Sequence, residues 1–237
     1  MGALQRDDAA REEMDRPDCD ALLLRRTYAQ FPLVNRAVSG WRKNYEQFIR
    51  PVLRKQGHSR ILDIGCGGGD IAVNLYRWAL ADGLQVTVCG IDPDQRAIDF
   101  ARAAGRRRGI PESVVEFLPV GSSQLAADGE RFDVVLSNHL LHHLTPSELQ
   151  QLMADTEKLC PAVALHSDIR RSRLALVLFG AATLPLAGTS FIRRDGLVSI
   201  RRSFTAEELA QRARPGWEVE AASPYRNLLI WRSESDG

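Results

Sequence analysis

The chain has 237 residues, of which 44% are hydrophobic and 26% charged, and its formal net charge at pH 7 is +1. These values are ordinary for a soluble globular protein and exclude extensive disorder. The small net charge gives no electrostatic reason to expect a nucleic-acid partner. The four cysteines have no CxxC spacing, which indicates reduced, structural thiols. No charged start precedes an apolar stretch, so we expect a cytoplasmic protein.

The N-terminal part of the chain divides into a polar stretch and an apolar one. Residues 1–16 are charge-rich with little periodicity, so we expect them to be flexible. Residues 17–58 carry apolar and aromatic side chains at helical spacing, which predicts a helical cover over the rest of the protein. Its helices are expected at 20–36 and 40–55, interrupted by Pro32 and Pro51.

Residues 59–237 alternate short apolar runs with helical patterns, which predicts one α/β domain. The predicted elements are strand 60–65, helix 70–82, strand 86–91, helix 94–108, strands 114–119 and 132–137, helix 146–159 and strand 162–167. A capping box from Thr205 to Glu208 predicts a further helix. Two last runs, 217–222 and 226–232, are typical of a closing antiparallel pair.

The first predicted strand runs into a glycine-rich turn, Asp63-x-Gly65-x-Gly67-x-Gly69. Glycine lets the backbone pass close to a ligand with free choice of φ. A dinucleotide-binding loop would have its third glycine at position 70, where this chain has Asp70, so the spacing disfavours a nicotinamide cofactor. A glycine-rich turn without any ligand is the alternative.

A second acidic position, Asp92-Pro93-Asp94, follows the second predicted strand. A carboxylate there can accept hydrogen bonds from both hydroxyls of a ribose, and it lies about 20 residues beyond the glycine turn, as βαβ geometry requires. The alternative is that Asp92 caps the next helix, with Pro93 in its first turn. Asp94 is the better candidate for that cap.

The glycine spacing together with Asp92 resembles the cofactor motifs of class I S-adenosylmethionine-dependent methyltransferases. Over residues 60–170 the chain is similar to methyltransferases of ubiquinone and menaquinone biosynthesis and to polyketide-tailoring and other small-molecule methyltransferases. The resemblance implies an α/β, Rossmann-like, seven-stranded, mostly parallel sheet with helices on both faces. It also implies S-adenosyl-L-methionine as cofactor, S-adenosyl-L-homocysteine as product, and direct methyl transfer that needs no metal.

The adenine loop departs from the pattern of these relatives. The loop after the third strand usually carries Gly-Asp-Ala, with the Asp accepting from the adenine amino group, whereas here Ser122 and Ser123 stand at the Asp and Ala positions. A serine hydroxyl accepts the same hydrogen bond without a charge, so we expect weaker polar discrimination. By the switch-point rule, Ser137 and Asn138 should border the methionine part. The predicted cofactor residues are Asp63, Gly65, Cys66, Gly67, Gly69, Asp92, Pro93, Ser122, Ser123, Ser137 and Asn138.

Three histidines, His139, His142 and His143, follow the fourth predicted strand. An imidazole titrates near neutral pH and can take the proton of a phenol or enol as the oxygen attacks the methyl group, so all three are candidate catalytic bases. Packing or helix capping is the alternative for each. A metal site is not expected, because the His-x-x-His-His spacing has no carboxylate nearby in sequence.

Residues 174–192 form an apolar segment between arginines, within a substrate-side insertion that we place at 170–204. The segment is just long enough to span a bilayer, but Pro185, Gly180 and Gly188 argue against a membrane-spanning helix. A core helix or a dimer surface is one alternative. A lid over an apolar acceptor pocket, with peripheral membrane contact, is the other.

These patterns predict transfer of a methyl group to an oxygen, with carbon as second choice, of a small hydrophobic acceptor that is phenolic, quinone-like or polyketide-derived. The predicted acceptor residues are Tyr28, Phe31, Trp41, Arg170 and Phe179. One alternative is a macromolecule methyltransferase, which would need a basic groove or a recognition domain. Another is a cofactor-binding protein of the same fold without turnover. The acceptor's identity and the choice between monomer and homodimer stay open.

Overall fold

Seven strands form one sheet in the computed structural model, which describes residues 4–55, 57–160 and 162–232. The strands are β1 (Ser59–Ile64), β2 (Val86–Ile91), β3 (Val115–Leu118), β4 (Val134–Asn138), β5 (Val163–Ile169), β6 (Trp217–Ala222) and β7 (Arg226–Arg232). Their order is β3-β2-β1-β4-β5-β7-β6. β7 pairs antiparallel with both of its neighbours, and the other pairs are parallel. The expected fold class is confirmed.

Helices cover both faces of this sheet. They are α1 (Ala21–Val38), α2 (Trp41–Asn44), α3 (Arg50–Leu53), α4 (Asp70–Ala81), α5 (Gln95–Arg107), α6 (Ser122–Ala127), α7 (Pro146–Leu159), α8 (Arg173–Ala182), α9 (Ile192–Arg202) and α10 (Ala206–Ala210). A π-helical turn, Tyr45–Ile49, joins α2 to α3, and 3-10 turns lie at Leu141–His143 and Leu184–Leu186.

The protein has one apolar core on each face of the sheet, and the alternation of side chains along β1 shows why. Ile61 and Leu62 are neighbours in sequence, point to opposite faces of the sheet, and are both fully buried in separate apolar clusters. Parallel sheets carry helices on both faces, so their strands are continuous apolar runs. The carboxyl ends of the parallel strands are left as the edge where a ligand can bind.

α1 continues through Pro32, where a break was expected. Proline removes one helical hydrogen bond and crowds the preceding turn. α1 packs against α4, α5 and α9, and these tertiary contacts hold the helix on both sides of the proline. The predicted break rested on the low helix propensity of proline, and tertiary packing overrides that propensity here.

The N-terminal segment, residues 4–16, is packed where flexibility was expected. The backbone amides of Glu13 and Met14 donate to the carboxylate of Asp195, at 2.9 and 3.0 Å. Arg202 donates from Nη1 to the carbonyl of Ala10 at 2.9 Å. The segment is polar because its partners on α9 are charged, so composition alone suggested a solvated chain.

The apolar segment 174–192 is divided between α8, a 3-10 turn and the loop before α9. Among the described residues no helix combines the length and the hydropathy needed to cross a membrane. Leu174, Val177 and Leu178 are exposed on α8.

Candidate active site

Two cavities lie at the carboxyl edge of the parallel strands. The larger has a volume of about 690 Å³ and the smaller about 220 Å³. Both are lined by Gly65, Pro93 and Leu140, so they adjoin at the point where β1 and β4 part. This is the switch point of the sheet, where open α/β proteins bind their ligands.

Most of the predicted cofactor residues line these cavities. Those in the larger cavity are Asp63, Gly65, Cys66, Gly67, Asp92, Pro93 and Asn138. Ser122 and Ser123 line the smaller one. Gly69 and Ser137 are not among the lining residues of either cavity.

The glycine turn takes left-handed backbone conformations that other residues rarely adopt. The φ angles of Gly65, Gly67 and Gly69 are +68°, +50° and +74°. A Cβ atom on Gly69 would lie 2.6 Å from the ring of Phe117, whereas one on Gly67 would meet no heavy atom within 4 Å. Gly69 therefore serves packing, and Gly67 lies in the open cavity wall. Burial raises the pKa of the Cys66 thiol well above its usual range.

Asp92 joins the glycine turn to the end of β2. Its Oδ2 accepts from the amide of Gly67 at 3.0 Å and its Oδ1 from the amide of Asp94 at 2.9 Å. Asp94 is the residue that caps α5, accepting from the amide of Arg96 at 2.8 Å. Burial raises the pKa of Asp92, although its two backbone hydrogen bonds oppose the shift.

Asp63 is a buried carboxylate in the wall of the larger cavity. Within the described part of the chain, neither of its oxygens has a partner with hydrogen-bond geometry. Burial raises its pKa well above the usual range, the charges of Asp70 and Asp92 add to the shift, and the nearby Ala72 amide opposes it. Asp70 itself accepts from Asn35 at 3.0 Å. A buried polar group without a partner needs an explanation, and a cationic ligand would supply one.

The smaller cavity contains a carboxylate that the sequence analysis missed. Ser122 and Ser123 both donate to Oδ2 of Asp155, at 2.8 and 2.6 Å, and Gln151 donates to its Oδ1 at 2.8 Å. Asp155 is 2% exposed and lines this cavity. It lies on the buried face of α7, and an acid on the apolar face of a helix is the sequence signal that was overlooked.

Ser137 and Asn138 point in opposite directions because side chains alternate along a strand. Ser137 is fully buried and its hydroxyl contacts Nδ1 of His166 at 2.8 Å, away from both cavities. Asn138 lines the larger cavity and accepts from the indole of Trp41 at 2.8 Å. Trp41 therefore supports the cavity wall without lining it, contrary to its expected acceptor role.

His139 faces the larger cavity with a free imidazole. Its φ is +57°, and its backbone amide donates to the carbonyl of Ser167 at 2.9 Å. Among the described residues its ring nitrogens have no hydrogen-bond partner, and burial lowers the pKa of the imidazole to about 4. A positive φ outside glycine is uncommon and tends to occur at functional positions.

His142 is held between two carboxylates. Its Nδ1 lies 2.7 Å from Asp168 and its Nε2 3.2 Å from Glu12. Burial alone would lower the pKa of His142, but the two acids outweigh it and raise the pKa to about 10. The imidazole is therefore protonated at neutral pH and has no free lone pair with which to accept a proton.

His143 completes an ionic cluster with the N-terminal segment. Its Nδ1 lies 3.2 Å from Asp15, and its ring centroid lies 4.2 Å from that of His142. One ligand atom each of Glu12, His142 and His143 lie within 4.8 Å of one another. The sequence analysis did not predict Glu12 as a member of this cluster, because it lies 130 residues before His142. The contacts that join the three side chains to one another and to Asp15 are those of an ion-pair network.

Three of the five predicted acceptor residues, Tyr28, Phe31 and Phe179, line the larger cavity. Arg170 is not among its lining residues; it follows β5, and its backbone amide donates to the carbonyl of Tyr225 at 2.7 Å. Arg226, which the sequence analysis did not single out, does line the cavity.

Comparison with known proteins identifies the domain. Residues 61–160 match the family model described as a methyltransferase domain. The chain is 36% identical over 120 residues to the ubiquinone biosynthesis O-methyltransferase of Roseobacter denitrificans, which covers 50% of this chain and 44% of that protein. The match to the methyltransferase family thus covers the part of the chain that runs from β1 through α7.

The methyltransferase domain has other relatives with different substrates. The tRNA U34 carboxymethyltransferase of Alcanivorax borkumensis is 34% identical over 121 residues, which cover 51% of this chain and 35% of that protein. The match to each of these two curated relatives therefore spans less than half of the relative's own length.

Solved structures share the fold of the methyltransferase domain. An O-methyltransferase family protein from Burkholderia thailandensis superposes with a TM-score of 0.61 at 16% identity, covering 90% of this chain and 60% of that one. The plantazolicin methyltransferase BpumL in complex with SAH gives a TM-score of 0.55 at 16% identity, covering 90% of this chain and 96% of that one. At these identities the likeness shows the fold alone.

Replacing His142 with Gln is expected to destabilise the methyltransferase at pH 7 and to flatten the pH dependence of its stability. A histidine pKa raised on folding contributes its full stability below the unfolded value of about 6.5 and loses it as pH rises through the folded value, here about 10. Urea unfolding at pH 7 and 8.5 should show that the wild type loses up to about 1.4 kcal/mol per pH unit more than the variant. His143→Gln is the control, and equal slopes for the wild type and His142→Gln would contradict the assignment.

Proposed function

We propose that the protein transfers the methyl group of S-adenosyl-L-methionine to an oxygen of a small hydrophobic acceptor that is phenolic, quinone-like or polyketide-derived. The observation that carries this proposal is the junction of the two cavities at Gly65, Pro93 and Leu140. Acidic residues and the glycine turn lie near the junction, and aromatic side chains line the wider part. One small charged cofactor and one larger apolar acceptor fit this division.

The acids near the glycine turn suit the polar parts of the cofactor. Each oxygen of Asp92 already accepts one backbone hydrogen bond and retains a lone pair, so together they can accept from the two ribose hydroxyls. The unpartnered carboxylate of Asp63 suits the cofactor's ammonium group, which would relieve the desolvation that raises its pKa. Gly67 leaves open space beside these groups.

Asp155 is proposed to read the adenine amino group from the smaller cavity. Its three hydrogen bonds leave one carboxylate acceptor site, and Ser122 and Ser123 fix its orientation. The charge that the relatives place on the loop after β3 would here come from α7. In this proposal the adenine amino group donates to the charged Asp155, a stronger acceptor than the serine hydroxyl expected from the sequence.

The wider cavity supports a lipophilic acceptor. Tyr28 and Phe31 from α1, Phe179 from α8 and Ile200 from α9 contribute its apolar wall. The similarity to ubiquinone biosynthesis O-methyltransferases favours an oxygen on a lipophilic ring, with carbon as the second choice. A nucleic-acid substrate, as the name of the tRNA relative suggests, is disfavoured by this apolar wall and by the net charge of +1. A domain without turnover would have no use for a free imidazole in the cavity.

His139 is the proposed base for the acceptor hydroxyl. When bound, S-adenosyl-L-methionine would supply an electrophilic methyl group on a sulfonium, and His139 would take the proton that the acceptor hydroxyl gives up when it is methylated. Burial keeps His139 unprotonated at neutral pH, whereas His142 is protonated and His143 pairs with Asp15. Holding the acceptor oxygen in line for transfer would lower the activation barrier by up to about 7–11 kcal/mol.

Asp92→Asn and Asp155→Asn are each expected to weaken the binding of S-adenosylhomocysteine at least tenfold, because each removes a charged acceptor. The two variants should differ toward the analogue that carries a keto oxygen in place of the adenine amino group. Only Asp155→Asn should bind that analogue better than the wild type does, because the Asn amide donates to the keto oxygen. Isothermal titration calorimetry measures both ligands.

Asp94→Asn is the matched control for these titrations. Asn is as good a helix cap as Asp, so this variant should keep α5 and the cofactor affinity of the wild type. Wild-type affinity in both Asp92→Asn and Asp155→Asn would sink the cofactor placement.

Methyl transfer to alkylphenols of increasing chain length is expected to become more efficient with each methylene until the cavity is full. Burial contributes up to about 0.8 kcal/mol per methylene, or about fourfold in KM. Mass spectrometry with isotopically labelled S-adenosylmethionine detects the product. Equal use of a short hydrophilic catechol and its long-chain counterpart would refute the lipophilic acceptor.

A pair of α8 variants tests where the alkyl chain lies. Leu178 and Leu174 are 51% and 55% exposed, but only Leu178 lines the cavity. Leu178→Asp should raise KM for long-chain phenols, whereas Leu174→Asp should not.

His139→Asn is expected to lower kcat by roughly 10²-fold while the affinity for S-adenosylhomocysteine stays unchanged. Asn tolerates a positive φ, so the backbone turn should persist. The loss should shrink for nitrophenols, which are already ionised at neutral pH and need no base. His143→Gln serves as the control; a wild-type rate in His139→Asn would mean that the reaction proceeds without this base.

A further inference from the structure

Arg226, the first residue of β7, carries a buried guanidinium that has no acidic partner among the described residues. It is 3% exposed, and its Nη2 donates to the carbonyl of Ser223 at 2.6 Å. In the described parts of the chain, its Nε and Nη1 have no hydrogen-bond partner. Burial lowers its pKa, and no nearby carboxylate opposes that shift.

Two other buried arginines show what a structural guanidinium looks like in this fold. Arg202 donates to the carbonyls of His142, Ala10 and His143. Arg171 donates to two carbonyls and forms an ion pair with Glu208. Within the part of the chain that the structure describes, each of these two guanidinium groups has three polar partners, whereas that of Arg226 has one.

The backbone makes room for the Arg226 side chain. Gly40 has a φ of +60°, and a Cβ atom there would lie 2.2 Å from Nη2 of Arg226 and 2.6 Å from its Cζ. The side chain is therefore accommodated against a glycine, although a buried unpaired charge lowers stability. Such a charge is explained if a ligand brings its partner.

Arg226 lies on the acceptor side of the larger cavity. It lines that cavity beside Tyr225 and His139, the two residues other than glycine with positive φ in the described chain. In the sheet, β7 is two strands from β4 and three from β1, which places it roughly 10 and 14 Å away at the usual strand spacing. Three strands therefore separate the backbone of Arg226 from β1, the strand that leads into the glycine turn.

We propose that Arg226 binds an oxyanion of the acceptor, a carboxylate or an ionised ring hydroxyl. The proposal rests on the proposed function and narrows its acceptor to an acidic lipophilic ring. A guanidinium matches a planar oxyanion with two parallel hydrogen bonds, and its Nε and Nη1 are the donors still free. An ionised hydroxyl held in this way would also need less help from His139, which is a weak base because its pKa is low.

The test measures binding of an alkyl-substituted hydroxybenzoate and of its methyl ester to the complex with S-adenosylhomocysteine, by calorimetry. The two probes share their shape and differ in charge. The wild type should bind the acid at least tenfold more tightly than the ester. Arg226→Gln should abolish that preference, and Arg226→Lys should retain part of it. Arg232→Gln, a change at an exposed arginine of the same strand, should leave the preference intact.

Each other outcome overturns the inference. If the wild type does not prefer the acid, or if Arg226→Gln keeps the preference, then Arg226 does not bind an oxyanion of the acceptor. Loss of S-adenosylhomocysteine affinity in Arg226→Gln and Arg226→Lys would assign the guanidinium to the cofactor's carboxylate instead. Failure of the wild type to bind S-adenosylhomocysteine would instead contradict the proposed function itself.

A ligand-free measurement separates binding from a structural role. Arg226→Met removes the unpaired charge and keeps the apolar stem, so its Tm should equal or exceed that of the wild type. A large fall in Tm for both Arg226→Met and Arg226→Lys would mark the guanidinium as structural and overturn the proposal.

Discussion

The ring of Phe117 on β3 fixes the geometry of the ligand edge, because two glycines leave just enough room for it. A Cβ atom on Gly69 would lie 2.6 Å from that ring, and one on Gly90 in β2 would lie 2.7 Å from it. Gly69, which packs against this ring, is the residue directly before α4. Asp63 and Asp92, at the ends of neighbouring strands, then converge on one cavity. A side chain at either glycine would clash with this ring, so the ring or its surroundings would have to shift.

Charge is distributed unevenly around the cavity that results. Its lining includes Asp63, Asp70 and Asp92, whose pKa values are raised by burial, and Arg226, which lies on β7 three strands from β1. The proposed reaction brings together a sulfonium and an oxygen that becomes or is an anion, and both lose their charge when the methyl group moves. In the proposed placement the acids face the ammonium group and the ribose of the cofactor, and the guanidinium faces an oxyanion of the acceptor.

Sequence patterns predicted the sheet well because the relevant signals are local. The predicted bounds 86–91, 146–159, 217–222 and 226–232 are those of β2, α7, β6 and β7. The missed features depend on partners distant in sequence. Glu12 meets His142 across 130 positions, and Ser122 meets Asp155 across 33. The sequence around Glu12 or Asp155 does not indicate which distant residue each of them will contact. Arg226 was hidden for the same reason, since its surroundings come from β7, the α1–α2 loop and β4.

The three histidines after β4 illustrate how one pattern can serve two purposes. Asp168 accepts from the backbone amide of His142 at 2.8 Å and contacts its ring at 2.7 Å, so this carboxylate fixes the 3-10 turn. Glu12 binds the other side of the same ring and ties the N-terminal segment to it. His139 lies between the end of β4 and that turn, and its φ is +57°. His142 is charged and structural, and by anchoring the turn it leaves the neutral ring of His139 facing the cavity.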